Sequence, residues 1–263
     1  VVNERMNGCD YWWVEFGGTL DTIGQNGEIA LELKKLVMGI WNYIKHSGKF
    51  PAEYLTLEWV GNIPGKREAR RFHGEHTLTE NDVLERPSFA DSVCYGGWFM
   101  DFHPSEGIYS DEDFCTQIPV LPYPIPLACF YNREFPNLLF AGRNISVSHA
   151  AFSSTRTMNT CAPVGQAAGA AAALAAKMKA SIDDISRNHI KTLQDILMRH
   201  DMFIPGRLLQ ESGNIALQAK ISCSGIRAKD DQEPDGYLAV REGTFLICPN
   251  EAGEIVLYTR SAK

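Results

Sequence analysis

The sequence predicts an α+β fold, in which a largely antiparallel mixed sheet carries packed helices and a small β unit follows at the C-terminal end. Two long segments, 27–47 and 163–179, have the residue patterns of helices. Short β-prone runs bounded by turn residues lie at 9–18, 54–60, 66–76 and 89–103. Beyond Gly213, apolar and polar residues alternate between turn residues, which predicts a small antiparallel unit over 213–263.

The segment 27–47 is predicted to be a helix because its apolar residues recur at helical spacing. These residues are Ile29, Leu33, Leu36, Val37, Ile40, Trp41 and Ile44. Glu28 lies in the first turn and Lys45 and His46 lie in the last turn, where each charge complements the helix dipole. Gly48 is placed to end the helix.

Three further segments carry local signals. Thr79 with the acidic residues after it predicts the capped start of a short helix. The prolines of 119–126 remove backbone donors, so this segment is expected to be an extended connector rather than a helix or a central strand. Apolar residues recur at helical spacing from Ile185 to Leu197, and the sequence Ile204-Pro205-Gly206 ends that pattern.

Composition argues against several kinds of partner. A net charge of −7 and a pI near 5.5 disfavour nucleic acid, which attracts basic proteins. No apolar run reaches the roughly 18 residues of a membrane helix, so we expect a soluble chain without a membrane span. The seven cysteines contain no C-x-x-C pair, which favours reduced thiols over zinc or disulfides. Because the chain begins without methionine, we expect the native N-terminus to lie upstream, and localisation is undecided.

A polar turn followed by a helix of small residues is the most informative pattern. Residues 137–142 are typical of a buried strand, and the alanine-rich helix is predicted to begin near Pro163. Gly165 and Gly169 share one helical face, although each costs about 1 kcal/mol relative to alanine. Tight packing on a strand explains them, and so does a ligand site. The turn Gly142-Arg143-Asn144 and the helix N-terminus suit an anionic or electron-rich group.

The stretch "NLLFAGRNISVSHAAFSSTRTMNTCAPVGQAAGAAAALA" resembles the closing segment of bacterial FAD-dependent oxidoreductases with a glutathione-reductase type of flavin domain. The segments "GNIPGKREARRFHGEHTLTENDV" and "DSVCYGGWFMDFH" resemble two further signatures of that group, in the expected order. The resemblance covers residues 11–204 and implies the remnant of an FAD/NAD(P)-binding layer. It divides the chain into a substrate-type α+β region (1–136), a flavin-edge strand with the alanine-rich and following helices (137–212), and the β region (213–263).

The resemblance also implies which residues contact the cofactor, FAD. It places Gly142, Arg143 and Asn144 beside the ribityl chain. It places Pro163, Val164, Gly165 and Gln166 near the flavin ring, where a helix N-terminus stabilises the negative charge of reduced flavin.

The chain departs from the family at one point, since it contains no G-x-G-x-x-G sequence. We therefore expect the resemblance to cover the C-terminal part of such an enzyme. An N-terminal FAD-binding segment is then the missing partner, and the 263-residue chain alone is expected to bind FAD weakly or not at all and to be inactive.

Candidate catalytic residues follow from the same comparison. His149 is assigned to proton transfer and Arg156 to holding a substrate oxyanion, although both can instead cap local backbone. The cluster Arg67, Arg70 and Arg71 is either a solvated, salt-bridged strand or, given the resemblance, a source of one arginine that faces substrate or flavin. We assign that role to Arg71.

Two other features are open to two readings. Asp101 and His103 share one face of a predicted strand, which suits either proton transfer or a structural hydrogen bond. Trp98, between two glycines and that pair, is the tryptophan we single out as a possible surface for sugar. The predicted function is hydride transfer from a substrate C–H bond to flavin, with a small-molecule substrate related to carbohydrate. The alternative is a truncated or accessory module without catalysis that binds carbohydrate.

Overall fold

The computed structural model describes residues 14–207. These residues separate into two compact units, one of 14–70 with 101–117 and one of 71–100 with 118–207. The predicted C-terminal β unit and residues 9–13 of the first predicted strand lie outside the described residues. The predicted divisions at residues 136 and 212 remain predictions.

The described residues contain six α-helices and four short strands. In chain order they are α1 (Asn26–His46), α2 (Glu80–Glu85), β1 (Ser92–Gly96), β2 (Met100–Phe102), β3 (Thr116–Ile118), β4 (Tyr123–Pro126), α3 (His149–Thr155), α4 (Met158–Met178), α5 (Ile182–Asn188) and α6 (Ile190–Arg199). The strands form two separate two-stranded sheets, β1 with β4 and β2 with β3. This mixture of helices and small sheets confirms the α+β class. Among residues 14–207, no helix is both long enough and apolar enough to cross a bilayer.

Helix α1 of the first unit confirms the predicted helix. Its first turn contains Glu28 and its last turn Lys45 and His46, as the dipole favours. The Lys45 ammonium then donates to the backbone carbonyls of Ala52, Glu53 and Leu55, at 2.8, 3.1 and 3.0 Å. The chain after the helix is therefore held against the helix end.

Helix α4 is the centre of the second unit and packs against β1, α5 and α6. Most of its buried side chains are small. The buried residues are Thr160, Val164, Ala167, Ala168, Ala171, Leu174 and Ala175. Because most of these residues are alanines, β1 approaches the helix closely. The tight packing that the sequence suggested therefore uses the alanine face, while Gly165 and Gly169 lie on an exposed face.

Most of the predicted strands are wrong. Residues 14–18, 54–60 and 66–76 are not strands, and 89–103 contributes only β1 and β2. The backbone amides of Phe72, Glu75 and His76 donate to the carbonyls of three separate segments, at Asn144, Tyr131 and Ala128. A regular ladder needs one continuous neighbour, so no strand forms. The predicted strand at 137–142 is reduced to a single bridge between Tyr131 and Leu139.

The proline-rich segment, predicted to be an extended connector, contains a short strand. Strand β4 includes Pro124 and Pro126, is fully buried, and pairs antiparallel with β1. It has β1 as its one neighbour in the sheet. An edge strand tolerates proline because only some of its amides must donate to a ladder.

Two helix boundaries also differ from prediction. Helix α4 begins at Met158 rather than near Pro163, which is its sixth residue. The helix predicted from Ile185 to Leu197 is two helices, because His189 between α5 and α6 has a non-helical backbone (φ −128°, ψ 13°). The predicted capped start at Thr79 is confirmed, since its side chain and that of Asp82 form a reciprocal capping box.

Gly96 is required where β1 faces Tyr123. A methyl group at Gly96 would overlap the ring of Tyr123, whereas one at the next residue, Gly97, would meet Pro122 at an ordinary 3.5 Å. We expect Gly96→Ala to lower the free energy of unfolding by about 2 kcal/mol, as overpacked cores do. The control, Gly97→Ala, is expected to change it by less than about 1 kcal/mol. Urea unfolding measures both, and equal effects would contradict this view of the sheet.

Candidate functional site

The turn Gly142-Arg143-Asn144 lies in the second unit, and its backbone requires glycine. Gly142 has φ +85°, which side chains rarely adopt, and no neighbouring atom lies within 4 Å of the position of a Cβ. The carbonyl of Asn144 accepts a hydrogen bond from the Phe72 amide at 2.9 Å. The side-chain oxygen of Asn144 is buried and has no hydrogen-bond partner among residues 14–207. The turn therefore retains an acceptor for an external donor.

The segment that follows the turn is held on both sides. The amide of Ser146 donates to the Cys129 carbonyl at 3.0 Å, and the Ser146 carbonyl accepts from Leu78 at 3.0 Å. Ser148 donates from its amide to the Leu78 carbonyl and from its hydroxyl to Glu80, at 2.8 and 2.9 Å. The backbone amide of Glu80 and the hydroxyl of Ser148 both donate to the Glu80 carboxylate. These two hydrogen bonds hold the pKa of that carboxyl below its usual value. The start of α3 is therefore fixed.

Helix α3 brings together the three predicted catalytic residues. His149 is its first residue and is exposed, after Ser148, whose hydroxyl caps the helix by accepting from Ala151. Arg156 is its C-cap residue. The guanidinium of Arg71 lies 5.8 Å from the ring centre of Phe152, in the middle of the helix. Burial lowers the pKa of Arg71.

His149 and Arg156 are seven residues apart, which places them on the same face of the helix and about 10 Å apart along its axis. Their catalytic roles remain predictions.

The N-terminus of α4 is open to solvent. The side chain of its N-cap residue, Thr157, donates to the Thr160 hydroxyl at 3.4 Å and caps no backbone amide of the first turn, and Met158 is 86% exposed. Burial raises the pKa of the Cys161 thiol in this turn, while the positive charge of Arg143 acts in the opposite direction.

The four predicted flavin-ring residues lie in the second and third turns of α4, not in the first. Gly165, like Gly169, is exposed, and no neighbouring atom lies within 4 Å of the position of a Cβ. Val164 is 1% exposed, so almost none of this residue is accessible to a ligand. The side-chain amide of Gln166 donates to the His200 carbonyl at 2.9 Å, and Pro163 is half-buried.

A separate charged cluster in the first unit joins parts of two of the quoted signatures. Its members are Glu15, Arg67, Asp101 and His103, and we call it the Arg67 cluster. Arg67 Nε lies 2.5 Å from Glu15 Oε1, and Arg67 Nη1 lies 3.2 Å from His103 Nε2. The His103 ring lies 3.0 Å from Glu15 Oε2 and 3.1 Å from Asp101 Oδ2. Gln117 donates to the other Asp101 oxygen at 3.1 Å.

The Arg67 cluster confirms that Asp101 and His103 are in contact, and it adds a residue that sequence reasoning missed. Glu15 is a lone acid within the aromatic run "YWWVEFGG", and its charge in that apolar setting was the available signal. Arg67, predicted as part of the arginine cluster, is paired with acid. These contacts favour the structural explanation for Asp101 and His103.

Removing one carboxylate from the Arg67 cluster should destabilise the first unit. The side chains of Asp101 and His103 are only 9% and 11% exposed. We expect Asp101→Ala to lower the free energy of unfolding by about 3 kcal/mol, because buried charged partners are left without it. Lys35→Ala, which removes the exposed lysine from the pair with Glu32, is the control and is expected to have little effect. Thermal or urea unfolding that gives equal effects would contradict a buried network.

The profile of the FAD dependent oxidoreductase family matches residues 1–197. The chain belongs to this family. No curated protein and no solved structure matches it. The family assignment holds even though residues 137–142 do not form the strand expected of a flavin-binding layer.

The second unit has features that suit the flavin part of FAD, the cofactor that this family implies. Gly142 leaves open space where a ligand can approach the backbone, and Asn144 offers a buried acceptor without a protein partner among the described residues. The N-terminus of α4 has no side-chain cap, so its amides and dipole are suited to an electron-rich edge. The sequence contains no G-x-G-x-x-G turn, which is the usual contact for the pyrophosphate of a dinucleotide.

Proposed function

We propose that this chain forms the flavin side of an FAD-dependent oxidoreductase that takes hydride from a substrate C–H bond. The observation that carries the proposal is the Gly142 turn, where the backbone is open to a ligand and the buried side-chain oxygen of Asn144 has no partner among the described residues, in a chain of this family. Gly142 and Gly165 leave open space at the backbone, as close approach to a flat cofactor requires. FAD, when bound, supplies the acceptor for hydride.

We assign the cofactor contacts as follows. Gly142, Arg143 and Asn144 would flank the ribityl chain, where the side-chain oxygen of Asn144 could accept from a hydroxyl group. Pro163, Val164, Gly165 and Gln166 would lie near the flavin ring, and of these Gly165 and Gln166 are exposed while Val164 is buried. The charge stabilisation assigned to the helix dipole comes from Met158 and the residues of the first turn, because the field of a helix end falls off within one turn.

The catalytic assignments use the three residues at α3. His149, exposed at the start of the helix, accepts the substrate proton as hydride leaves, since imidazole changes charge near neutral pH. Arg156 holds the substrate oxygen, on which negative charge develops when the proton is removed. Arg71 faces the substrate with its guanidinium, which Phe152 orients. The substrate is a small molecule, and a carbohydrate-related alcohol suits this set of groups.

The adenosine end of FAD requires contacts from outside these 263 residues. We propose that a segment with a G-x-G-x-x-G turn completes the site and that the complete protein, with that segment, retains FAD. The chain by itself keeps too little of the contact area to overcome the entropy of association. A chain that serves only as an accessory carbohydrate-binding module is the alternative.

The coding sequence upstream of this chain tests the proposal. We expect an in-frame segment with G-x-G-x-x-G, or a neighbouring gene that encodes one. Co-expression of that segment with the chain should then give a yellow complex, whereas the chain alone should purify colourless. A stop codon without any neighbouring nucleotide-binding gene would contradict the oxidoreductase and favour the accessory module.

A further inference from the structure

The first unit contains an apolar groove that the proposed flavin site does not use. The groove has a volume of about 430 Å³ and runs between one face of α1 and the extended segment 57–64. Its lining residues are Val14, Ala30, Leu33, Lys34, Val37, Ile40, Trp41, Ile44, Leu57, Val60, Gly61, Asn62 and Pro64. This volume is in the range of small-molecule sites, which are mostly apolar with a few polar groups.

The apolar surface continues beyond the groove. Trp59 and Ile63 on the extended segment are 76% and 81% exposed. In α1, Ile29 is the one residue that is fully buried, although the helix has apolar residues at helical spacing along its length. Exposed apolar surface on this scale commonly marks a binding site.

Lys34 is the one charged residue among those that line the groove. Its ammonium donates to Asn62 Oδ1 at 3.0 Å, and it forms no ion pair within the described part of the chain. The adjacent Lys35, by contrast, does not line the groove and is paired with Glu32 at 2.8 Å. The groove thus combines an apolar wall with one positive charge that lacks a carboxylate.

We propose that this groove binds an amphipathic carboxylate, with its alkyl chain along the apolar wall and its carboxylate on Lys34. Burial of the chain provides most of the binding free energy because that term scales with apolar area. The carboxylate provides selectivity, since it supplies the opposite charge and accepts a charge-assisted hydrogen bond from the ammonium. Asn62 donates to the second carboxylate oxygen through its amide nitrogen.

Three probes with the same alkyl chain separate charge from apolar burial. Dodecanoate and dodecylamine, each below its micellar concentration, and dodecanol, below its solubility limit, are titrated into the full chain by calorimetry. We expect dodecanoate to bind about tenfold more tightly than dodecanol, given the strength of hydrogen bonds to charged groups. Dodecylamine is expected to bind more weakly than dodecanol, because its charge repels Lys34.

Lys34→Gln and Lys35→Gln form the matched pair of variants. Lys34→Gln should remove the preference for dodecanoate over dodecanol, while Lys35→Gln keeps it. Val37→Phe, which fills the groove, should weaken both ligands, with helix content checked by circular dichroism. Equal affinity for all three probes, or a preference that survives Lys34→Gln, would overturn the proposal. So would the absence of binding, including the case where sedimentation shows a second copy of the chain covering the groove. None of these outcomes depends on FAD.

Discussion

Replacing His149 by alanine is expected to slow flavin reduction by substrate in the FAD-loaded protein by about 10²–10⁴-fold, the usual contribution of general base catalysis. His149 is exposed at the start of α3, and the bonds of Ser148 hold the start of that helix. The loss of the ring should therefore change proton transfer without disturbing the glycine turn. FAD retention should stay nearly constant.

Stopped-flow absorbance of the flavin measures the reduction rate, and the ratio of flavin to protein measures retention. His46→Ala, at the end of α1 in the first unit, is the control and should change neither quantity. Loss of FAD together with the rate would show that His149 supports the site structurally. A rate within about threefold of the wild type, a difference of less than 1 kcal/mol, would remove the residue from catalysis.

Gly165→Leu is expected to have opposite effects on stability and on FAD retention. Gly165 is exposed in α4 with no neighbouring atom within 4 Å of the position of a Cβ, so the described chain accommodates a side chain there. Leucine has a higher helix propensity than glycine, so the substitution should stabilise the chain by about 0.5–1 kcal/mol. The same side chain would occupy the space assigned to the flavin ring, and FAD retention should fall at least tenfold, a loss of about 1.4 kcal/mol.

Ala172→Leu, also exposed and two turns further along α4, is the matched control and should leave FAD retention unchanged. Urea unfolding of the chain and flavin content of the complete protein give the two measurements. If Gly165→Leu destabilises the chain, this face packs against protein rather than flavin. If stability rises and FAD is retained fully, the assignment of the ring to Gly165 is wrong.

The helices could be predicted from sequence because their signals are local. The charges at the two ends of α1 and the capping box at Thr79 lie within the helices they define. The strands depend on distant partners, and the amides of Phe72 and His76 bond to separate segments, which no local pattern indicates. Strand β4, which contains prolines, was not predicted for the same reason, because its position at the edge of a sheet is a property of the fold.

Part of the candidate site was also predictable. The turn predicted at Gly142 is present, and Gly142 has a positive φ that favours glycine. The start of α4 was placed at Pro163 because proline favours a first helical turn, whereas Thr157 is the N-cap, a residue type common at that position. Glu15 could not be placed with His103 from sequence, since the two residues are brought together only by the folding of the first unit.

Hydrogen exchange of the complete protein with and without FAD most directly tests the claim that this chain holds the flavin. Exchange reports which backbone amides are protected by a ligand. The account predicts slower exchange on FAD binding at residues 142–144 and in the first turns of α4, from 158 to 166, with no change in α1. Protection confined to other residues, with these two segments unchanged, would contradict it.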